Sequence, residues 1–234
     1  MEEDLLLSRV EGFFYDGDGT LWDTESLLYG VYAKMLADRG HRMTEAQYLP
    51  IVGQGASAAA RLIIERFSLK DEPSAFVEER RCRMHPLLAT VRLLPGVSGH
   101  LDRYQFSKTN VMSALVTSAP AAHADPILDA LRLRSRFRAI VTADTPGLGG
   151  RLKPDPAPYR CAAKELHAHP MRCVAFEDTS HGATSAREAG MIVVGTPHRF
   201  SPRSKLEGVA HHVLPEGTTL ADFRLSSIER WLPH

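Results

Sequence analysis

Two carboxylates one residue apart stand directly after a short apolar run, in Phe13-Phe14-Tyr15-Asp16-Gly17-Asp18-Gly19-Thr20-Leu21-Trp22-Asp23-Thr24. A carboxylate can attack phosphorus and carry the phosphoryl group, which divides a difficult hydrolysis into two easier steps. A second carboxyl beside it can protonate the leaving oxygen and later activate water, provided its surroundings raise its pKa relative to its neighbour's. Asp16 and Asp18 are the candidates for those roles, and Gly19 lets the backbone turn sharply between strand and loop. Read alone, D-x-D-G-T also fits an acidic turn, where Asp and Gly are favoured for local reasons.

Three further strings carry chemical groups. Ala114-Leu115-Val116-Thr117-Ser118-Ala119-Pro120 ends an apolar run in two hydroxyls just before a helix. Hydroxyls and free N–H groups at a helix start suit a phosphate, and Thr and Ser also serve there as simple caps. Lys153 lies in the Pro-rich loop Arg151-Leu152-Lys153-Pro154-Asp155-Pro156-Ala157-Pro158-Tyr159, where an isolated Lys would ordinarily be solvated. Finally, Val174-Ala175-Phe176 runs into Glu177-Asp178-Thr179-Ser180-His181-Gly182, followed by small residues as far as Ala189-Gly190-Met191. Paired acids there either favour a helix N-terminus, by up to about 1 kcal/mol on an exposed helix, or supply the oxygen ligands that Mg²⁺ takes in octahedral geometry.

The elements that must position these groups form a pattern. Val10 to Tyr15, Val111 to Val116, Ala139 to Thr142, Cys173 to Phe176 and Ile192 to Val194 are short and apolar at nearly every position, as in strands covered on both faces. Helical stretches at about 120–131, 156–167 and 181–189 lie between them. The alternation predicts an α/β fold with a doubly wound, mostly parallel sheet, and ligands of such sheets bind beyond the carboxyl ends of the strands. Ala210 to Leu214 could add an edge strand.

One interval breaks the alternation. Leu27, Leu28, Val31, Tyr32, Met35 and Leu36 share a helical face, as do Ala59, Leu62, Ile63 and Phe67, and then Phe76, Val77, Met84, Leu87 and Leu88. Asp23 and Asp71 are candidate N-caps. A connection of this length must carry its own structure. The expected organisation is therefore a small helical domain at 24–90 inserted into a core of 1–23 and 91–234, with Leu94-Pro95-Gly96 marking the return.

Bulk properties exclude several classes. Lys plus Arg and Asp plus Glu are equal at 28 each, so the basic excess of a sequence-independent nucleic-acid binder is missing. No apolar run approaches the roughly 20 residues that span a bilayer. The acidic start Glu2, Glu3, Asp4 before Leu5-Leu6-Leu7 is unlike a secretory signal. Cys82, Cys161 and Cys173 show no CxxC spacing, which argues against structural zinc and a disulfide framework and makes the reducing cytoplasm the expected compartment.

Taken in order, the four strings resemble the motifs of the haloacid dehalogenase-like superfamily over roughly residues 10 to 200. The resemblance implies a Rossmann-like core with an α-helical cap, in the phosphatase and β-phosphoglucomutase-like subgroup. Asp16 matches the family's nucleophile and Asp18 the general acid/base of its phosphate-transferring members. Thr117, with Ser118 beside it, matches the phosphate-binding position. Lys153, in K-P-x-P-x-x-Y, matches the Lys that offsets charge on phosphate and nucleophile, although Leu152 stands where members often carry Gly. Glu177 and Asp178 match the fourth motif and would hold Mg²⁺ together with Asp16 and the main-chain carbonyl of Asp18. Gln54 and Ser57, at the cap turn, are candidates for touching the leaving group.

The expected activity is hydrolysis of a small phosphorylated metabolite, a sugar or polyol phosphate at family level. The expected partners are that metabolite and Mg²⁺, with no nucleic acid and no membrane, and a monomer or weak homo-oligomer. A dehalogenase would need neither Asp18 nor the Glu177-Asp178 pair. A phosphonate hydrolase needs a cap lysine, and Lys34 reads as solvated. A sugar-phosphate mutase is the main alternative, but the comparable cap stretch, Pro50-Ile51-Val52-Gly53-Gln54-Gly55-Ala56-Ser57, contains no Lys or Arg. A non-catalytic phosphate-binding module is the second alternative.

Overall fold

Successive side chains of a strand point to opposite faces, so an apolar run such as Phe13-Phe14-Tyr15 needs cover on both. The computed structural model, which describes residues 2–105 and 111–233, provides it. The strands are β1 (Gly12–Tyr15), β2 (Met112–Val116), β3 (Ala139–Val141), β4 (Cys173–Glu177), β5 (Ile192–Gly195) and β6 (His212–Val213). They form one parallel sheet in the order β3-β2-β1-β4-β5-β6. Every expected strand is present within two residues of its expected ends, and β6 lies inside the stretch expected to add an edge. The chain has the α/β, doubly wound fold that its sequence predicts.

The helices are α1 (Glu2–Leu7), α2 (Thr24–Ala37), α3 (Glu45–Tyr48), α4 (Ala56–Arg66), α5 (Pro73–Met84), α6 (Val97–Gln105), α7 (Ala121–Ala130), α8 (Ala157–Glu165) and α9 (Ser180–Glu188). On one sheet face Phe14, Ala114, Val116, Ala175 and Val193 meet the small residues Ala162, Ala163, Ala183 and Ala186 of α8 and α9. Side chains this small let helices lie close against the sheet. On the other face Phe13, Tyr15, Leu115 and Phe176 pack with α6, α7 and the C-terminal residues Phe223, Leu225 and Ile228. The tail from Ser201, which carries no motif, is therefore structural: it supplies β6, Leu206 and Val213 on the α8/α9 face, and residues 220–232 on the aromatic face. No helix among the described residues is long and apolar enough to cross a membrane.

Residues 24–90 form helices α2 to α5 and a 3₁₀ stretch, His85–Thr90. Asp23 caps α2 by accepting from the Ser26 N–H at 2.9 Å. Asp71 does not cap α5. The preceding residue of that helix is Glu72, with Pro73 already preset for the first turn, and Asp71 is drawn instead to Arg39 at 2.5 Å. Val31, Tyr32, Met35, Leu36, Ala59, Ile63, Phe76, Met84 and Leu88 are buried as their spacing predicts, whereas Leu62 and Leu87 are exposed. Ala60 takes the inward place on α4.

The aromatic face encloses an imidazole. His100 is fully buried; its Nδ1 lies 3.0 Å from the Leu220 carbonyl and its Nε2 3.0 Å from the Tyr15 hydroxyl. A carbonyl only accepts, so Nδ1 carries the proton and Nε2 accepts from Tyr15. Burial lowers the pKa of this ring to about 3. The unfolded chain therefore binds the proton first, and this contribution to stability is present above about pH 6.5 and lost as pH falls towards 3. His100→Gln keeps one donor and one acceptor without titrating. In urea unfolding at about pH 7 and about pH 5, the wild-type chain should lose more free energy than the variant; equal losses would place the acid sensitivity elsewhere.

Candidate active site

The sheet order reverses between β1 and β4, the point in a doubly wound sheet where a crevice opens at the carboxyl ends. Tyr15 pairs in register with Phe176, and the Asp16 N–H donates to the Phe176 carbonyl at 3.0 Å. One residue past that register, Asp16 and Glu177 come side by side. Thr117 follows the end of β2 on the other flank.

Lys153 ties these ends together. Its Nζ donates to Asp16 Oδ1 at 2.5 Å, to Glu177 Oε1 at 2.5 Å and to the Val116 carbonyl at 2.7 Å. An ammonium has three protons, and each has an acceptor. The Lys153 side chain is only 5% exposed, so this is not the solvated loop lysine that its local sequence suggests. Tyr159, six residues on, donates to the same Glu177 oxygen at 2.5 Å and sets its ring 5.1 Å from Nζ. The K-P-x-P-x-x-Y spacing thus brings both ends of the string to one carboxylate.

Asp178 is 1% exposed. Its Oδ2 lies 3.0 Å from His198 Nε2, while its Oδ1 is buried without a hydrogen-bond partner. His198 Nδ1 accepts from the Phe200 N–H at 3.3 Å, which leaves the Nε2 proton for Asp178. Ser201 Oγ donates to the Asp178 carbonyl. The turn after β5 therefore grips Asp178 by side chain and main chain. Asp16, Glu177 and Asp178 each offer an oxygen within 4.8 Å of the others. Burial, together with the neighbouring carboxylates and against the pull of Lys153, raises Asp16 to about 8. Burial also raises Glu177 and Asp178. Lys153 is raised despite its burial, because Asp16 and Glu177 both favour its charge.

Asp18 differs. Burial pushes its pKa up, but hydrogen bonds from His123, Thr24 and Trp22 outweigh that and hold it at about 2. His123 Nε2 lies at 3.1 Å, Thr24 Oγ1 at 2.5 Å and Trp22 Nε1 at 3.1 Å from Oδ1, with Thr117 Oγ1 3.3 Å from Oδ2. The condition set for Asp18 to act as an acid, a pKa above its neighbour's, is not met in this arrangement, because Asp18 gathers donors while Asp16 faces other carboxylates. Gly19, at φ +86°, passes so close that a Cβ there would lie 2.4 Å from Asp178 Oδ2.

A cleft of about 550 Å³ opens over Asp16, Asp18, Thr117, Ser118, Lys153 and Asp178, with Gln54 in its wall. Glu177 lies behind the lining, fully buried. Ser57 does not reach the cleft; it is exposed on the first turn of α4. Neither Thr117 nor Ser118 caps α7. Pro120 holds that position, the Ala121 N–H goes to Asp144, and Thr117 Oγ1 accepts from the Ala119 N–H. His181 lines the cleft as an exposed residue. His123, His198, Tyr159, Thr24, Glu25 and Arg80 were not assigned roles from sequence. Their signal is spatial; His123 is 105 residues from Asp18.

Comparisons with known proteins show the family and the fold. A family model described as haloacid dehalogenase-like hydrolase matches residues 13–196. A phosphorylated carbohydrates phosphatase of Thermotoga maritima is 30% identical over 88% of this chain and 95% of its own length. A (DL)-glycerol-3-phosphatase of Arabidopsis thaliana is 30% identical over 90% of this chain and 87% of its own. In fold, the chain is similar to a HAD family hydrolase of Deinococcus radiodurans solved with phosphate and sodium, with a TM-score of 0.78 at 21% identity, covering 96% of this chain and 98% of that one.

Gly182, on the first turn of α9, touches the network most closely. A Cβ there would lie 1.9 Å from Glu177 Oε2, whereas one at Gly30 in α2 would meet nothing within 4 Å. Gly182→Ala should lower unfolding free energy in urea by about 1–3 kcal/mol, and Gly30→Ala should raise it by about 0.5–1 kcal/mol. Equal effects at the two positions would show that the Glu177 carboxylate has room to move.

Proposed function

The chain belongs to the haloacid dehalogenase-like hydrolases, and from that membership we propose that it is a Mg²⁺-dependent phosphatase acting on a small phosphorylated sugar or polyol through an aspartyl-phosphate on Asp16. The observation that carries this reading is the bond between Lys153 and Asp16, 137 residues apart, beside a buried carboxylate oxygen of Asp178 that has no partner. The relatives named as phosphatases of phosphorylated carbohydrates and of glycerol phosphate support the substrate class.

The donor set fits the proposed metal. Three buried carboxylates with oxygens within 4.8 Å of one another are hard ligands, suited to Mg²⁺ rather than to a softer ion. Asp16 and Asp178 would hold it, with Glu177 and the main-chain carbonyl of Asp18. Bound there, Mg²⁺ offsets the negative charge on the phosphoryl oxygens.

In this reading Lys153 orients Asp16, a carboxylate oxygen of Asp16 attacks phosphorus, and the bond to the leaving oxygen breaks. Asp18, ionised in the free site, must first take up a proton from solvent as substrate displaces its donors. It then gives that proton to the leaving oxygen and takes one from the water that releases phosphate. To do so Asp18 exchanges its bonds to Thr24 and His123 for bonds to substrate and water. Thr117 and Ser118 are the phosphate donors. Residues 24–90 act as the cap on a core of 1–23 and 91–234, excluding water and contributing Gln54 to leaving-group contact. A mutase would need a base beside the cap glycines, and Gly53 and Gly55 have none within Pro50–Ser57.

Phosphate release from p-nitrophenyl phosphate and a panel of sugar and polyol phosphates should stop with a chelator and return with Mg²⁺. Asp16→Asn should lower turnover by about 10³-fold or more. Near-normal turnover in that variant would refute Asp16 as nucleophile, and silence toward the whole panel would favour a binding module. Isomerisation of a sugar phosphate faster than its hydrolysis would favour the mutase.

A further inference from the structure

Helix α5 carries the run Glu78-Glu79-Arg80-Arg81-Cys82-Arg83, and its ion pairs leave one cation over. Arg81 pairs with Glu78 at 2.5 Å; Arg83 pairs with Glu79 at 2.6 Å and with Asp38 at 2.7 Å. Glu79 is also held by Arg39. Arg80 has no ion pair among the described residues, and its Nε is buried without a hydrogen-bond partner. Its position explains the isolation. Phe76, Arg80 and Met84 are spaced by one helical turn, and Phe76 and Met84 are buried, so Arg80 interrupts the inward stripe of α5. There it lines the same cleft as Asp16 and Lys153.

An apolar residue would suit that stripe, because a half-buried guanidinium without a partner is held at a cost in desolvation. The cleft's other permanent cation, Lys153, has all its protons committed. Glu25 lines the same cleft, and its Oε2 accepts from the Tyr48 hydroxyl at 2.7 Å. Arg80 is near enough to Tyr32 and Tyr48 that its charge opposes the upward push of burial on both hydroxyls.

We propose that Arg80 is a leaving-group subsite for a carboxylate, so that the preferred substrate is a phosphate ester of a hydroxy acid or sugar acid. This rests on the phosphatase reading and refines its substrate class. A guanidinium offers a planar fork that matches a carboxylate in two parallel bonds. With a single uncommitted cation and Glu25 in the same lining, a singly charged carboxylate fits better than a second, dianionic phosphate.

Two matched pairs test this: 3-phosphoglycerate against glycerol 3-phosphate, and 6-phosphogluconate against glucitol 6-phosphate. Each pair differs by a carboxylate in place of a CH₂OH. In at least one pair kcat/KM should favour the acid by roughly tenfold or more, chiefly through KM, and Arg80→Gln should remove that preference while leaving the alcohols within about twofold. Arg80→Lys, which keeps charge but not the fork, should fall between. Calorimetric binding of the same compounds to Asp16→Asn, with and without Arg80→Gln, gives the discrimination independently of turnover. Alcohols hydrolysed or bound as well as acids in both pairs would overturn the carboxylate subsite while leaving the phosphatase reading intact. So would equal loss for acid and alcohol in Arg80→Gln, or preference only for a sugar bisphosphate. Acid-selective binding lost with Arg80→Gln, in a chain that releases no phosphate from any ester, would uphold the subsite and sink the phosphatase.

Discussion

One buried ammonium sets the terms for the rest of the structure. Lys153 joins Asp16 after β1, the main chain at the end of β2 and Glu177 at the end of β4, so three adjacent strand ends share one positive charge. Burying a charge is tolerable only where it is paired and hydrogen-bonded, and Lys153 meets that condition completely. The carboxylates do not. Asp16, Glu177 and Asp178 are buried around one ammonium, and Asp16 responds by rising to about 8. A proton or a cation must supply the missing charge. The unpartnered Asp178 oxygen is where a cation would find a ligand already desolvated, so the proposed metal would answer the same constraint that joins the strand ends.

How much of this was legible in sequence depends on whether a feature is local. The strands were legible because both faces of the sheet are covered, which forces apolar residues at every position. The α2 cap was legible because Asp23 and Ser26 are three residues apart. Asp71 misled because the same residue type suits a cap or an ion pair, and Arg39, 32 residues away, took it. Lys153, Asp16 and Asp178 were legible only as separate strings joined by resemblance. Arg80 had no such string, and an arginine among Glu78, Glu79, Arg81 and Arg83 reads as one more solvated charge until the helix phase turns it inward.

The histidines make the same point more sharply. His123 and His198 are ordinary in sequence, yet each is bonded to an acid in the cleft. His100 looks no different and is a core residue, neutral among aromatic rings. What separates them is the partner. A carboxylate beside a histidine ring gives a polar pair at the cleft; a carbonyl and a phenol give a satisfied donor and acceptor in the core.

The turn at 198–201 adds a mechanical consequence. Reciprocal main-chain bonds between His198 and Ser201, 3.0 Å each way, make it a closed loop that grips Asp178. The same turn faces the helical interval: the Phe200 ring meets Tyr48 edge-on at 5.2 Å and lies 5.7 Å from Tyr29, Arg199 pairs with Glu45, and Lys205 donates to the Leu49 carbonyl at 3.2 Å. Tyr48 in turn holds Glu25 in the cleft. Movement of residues 24–90 against the sheet would strain contacts that end on Asp178. Among the described residues Asp16 shows no such tether to helices α2 to α5; Lys153, from the loop before α8, fixes it to the strand ends. The two carboxylates therefore report on different parts of the molecule, one on the strand ends and the other on the seating of the helical layer.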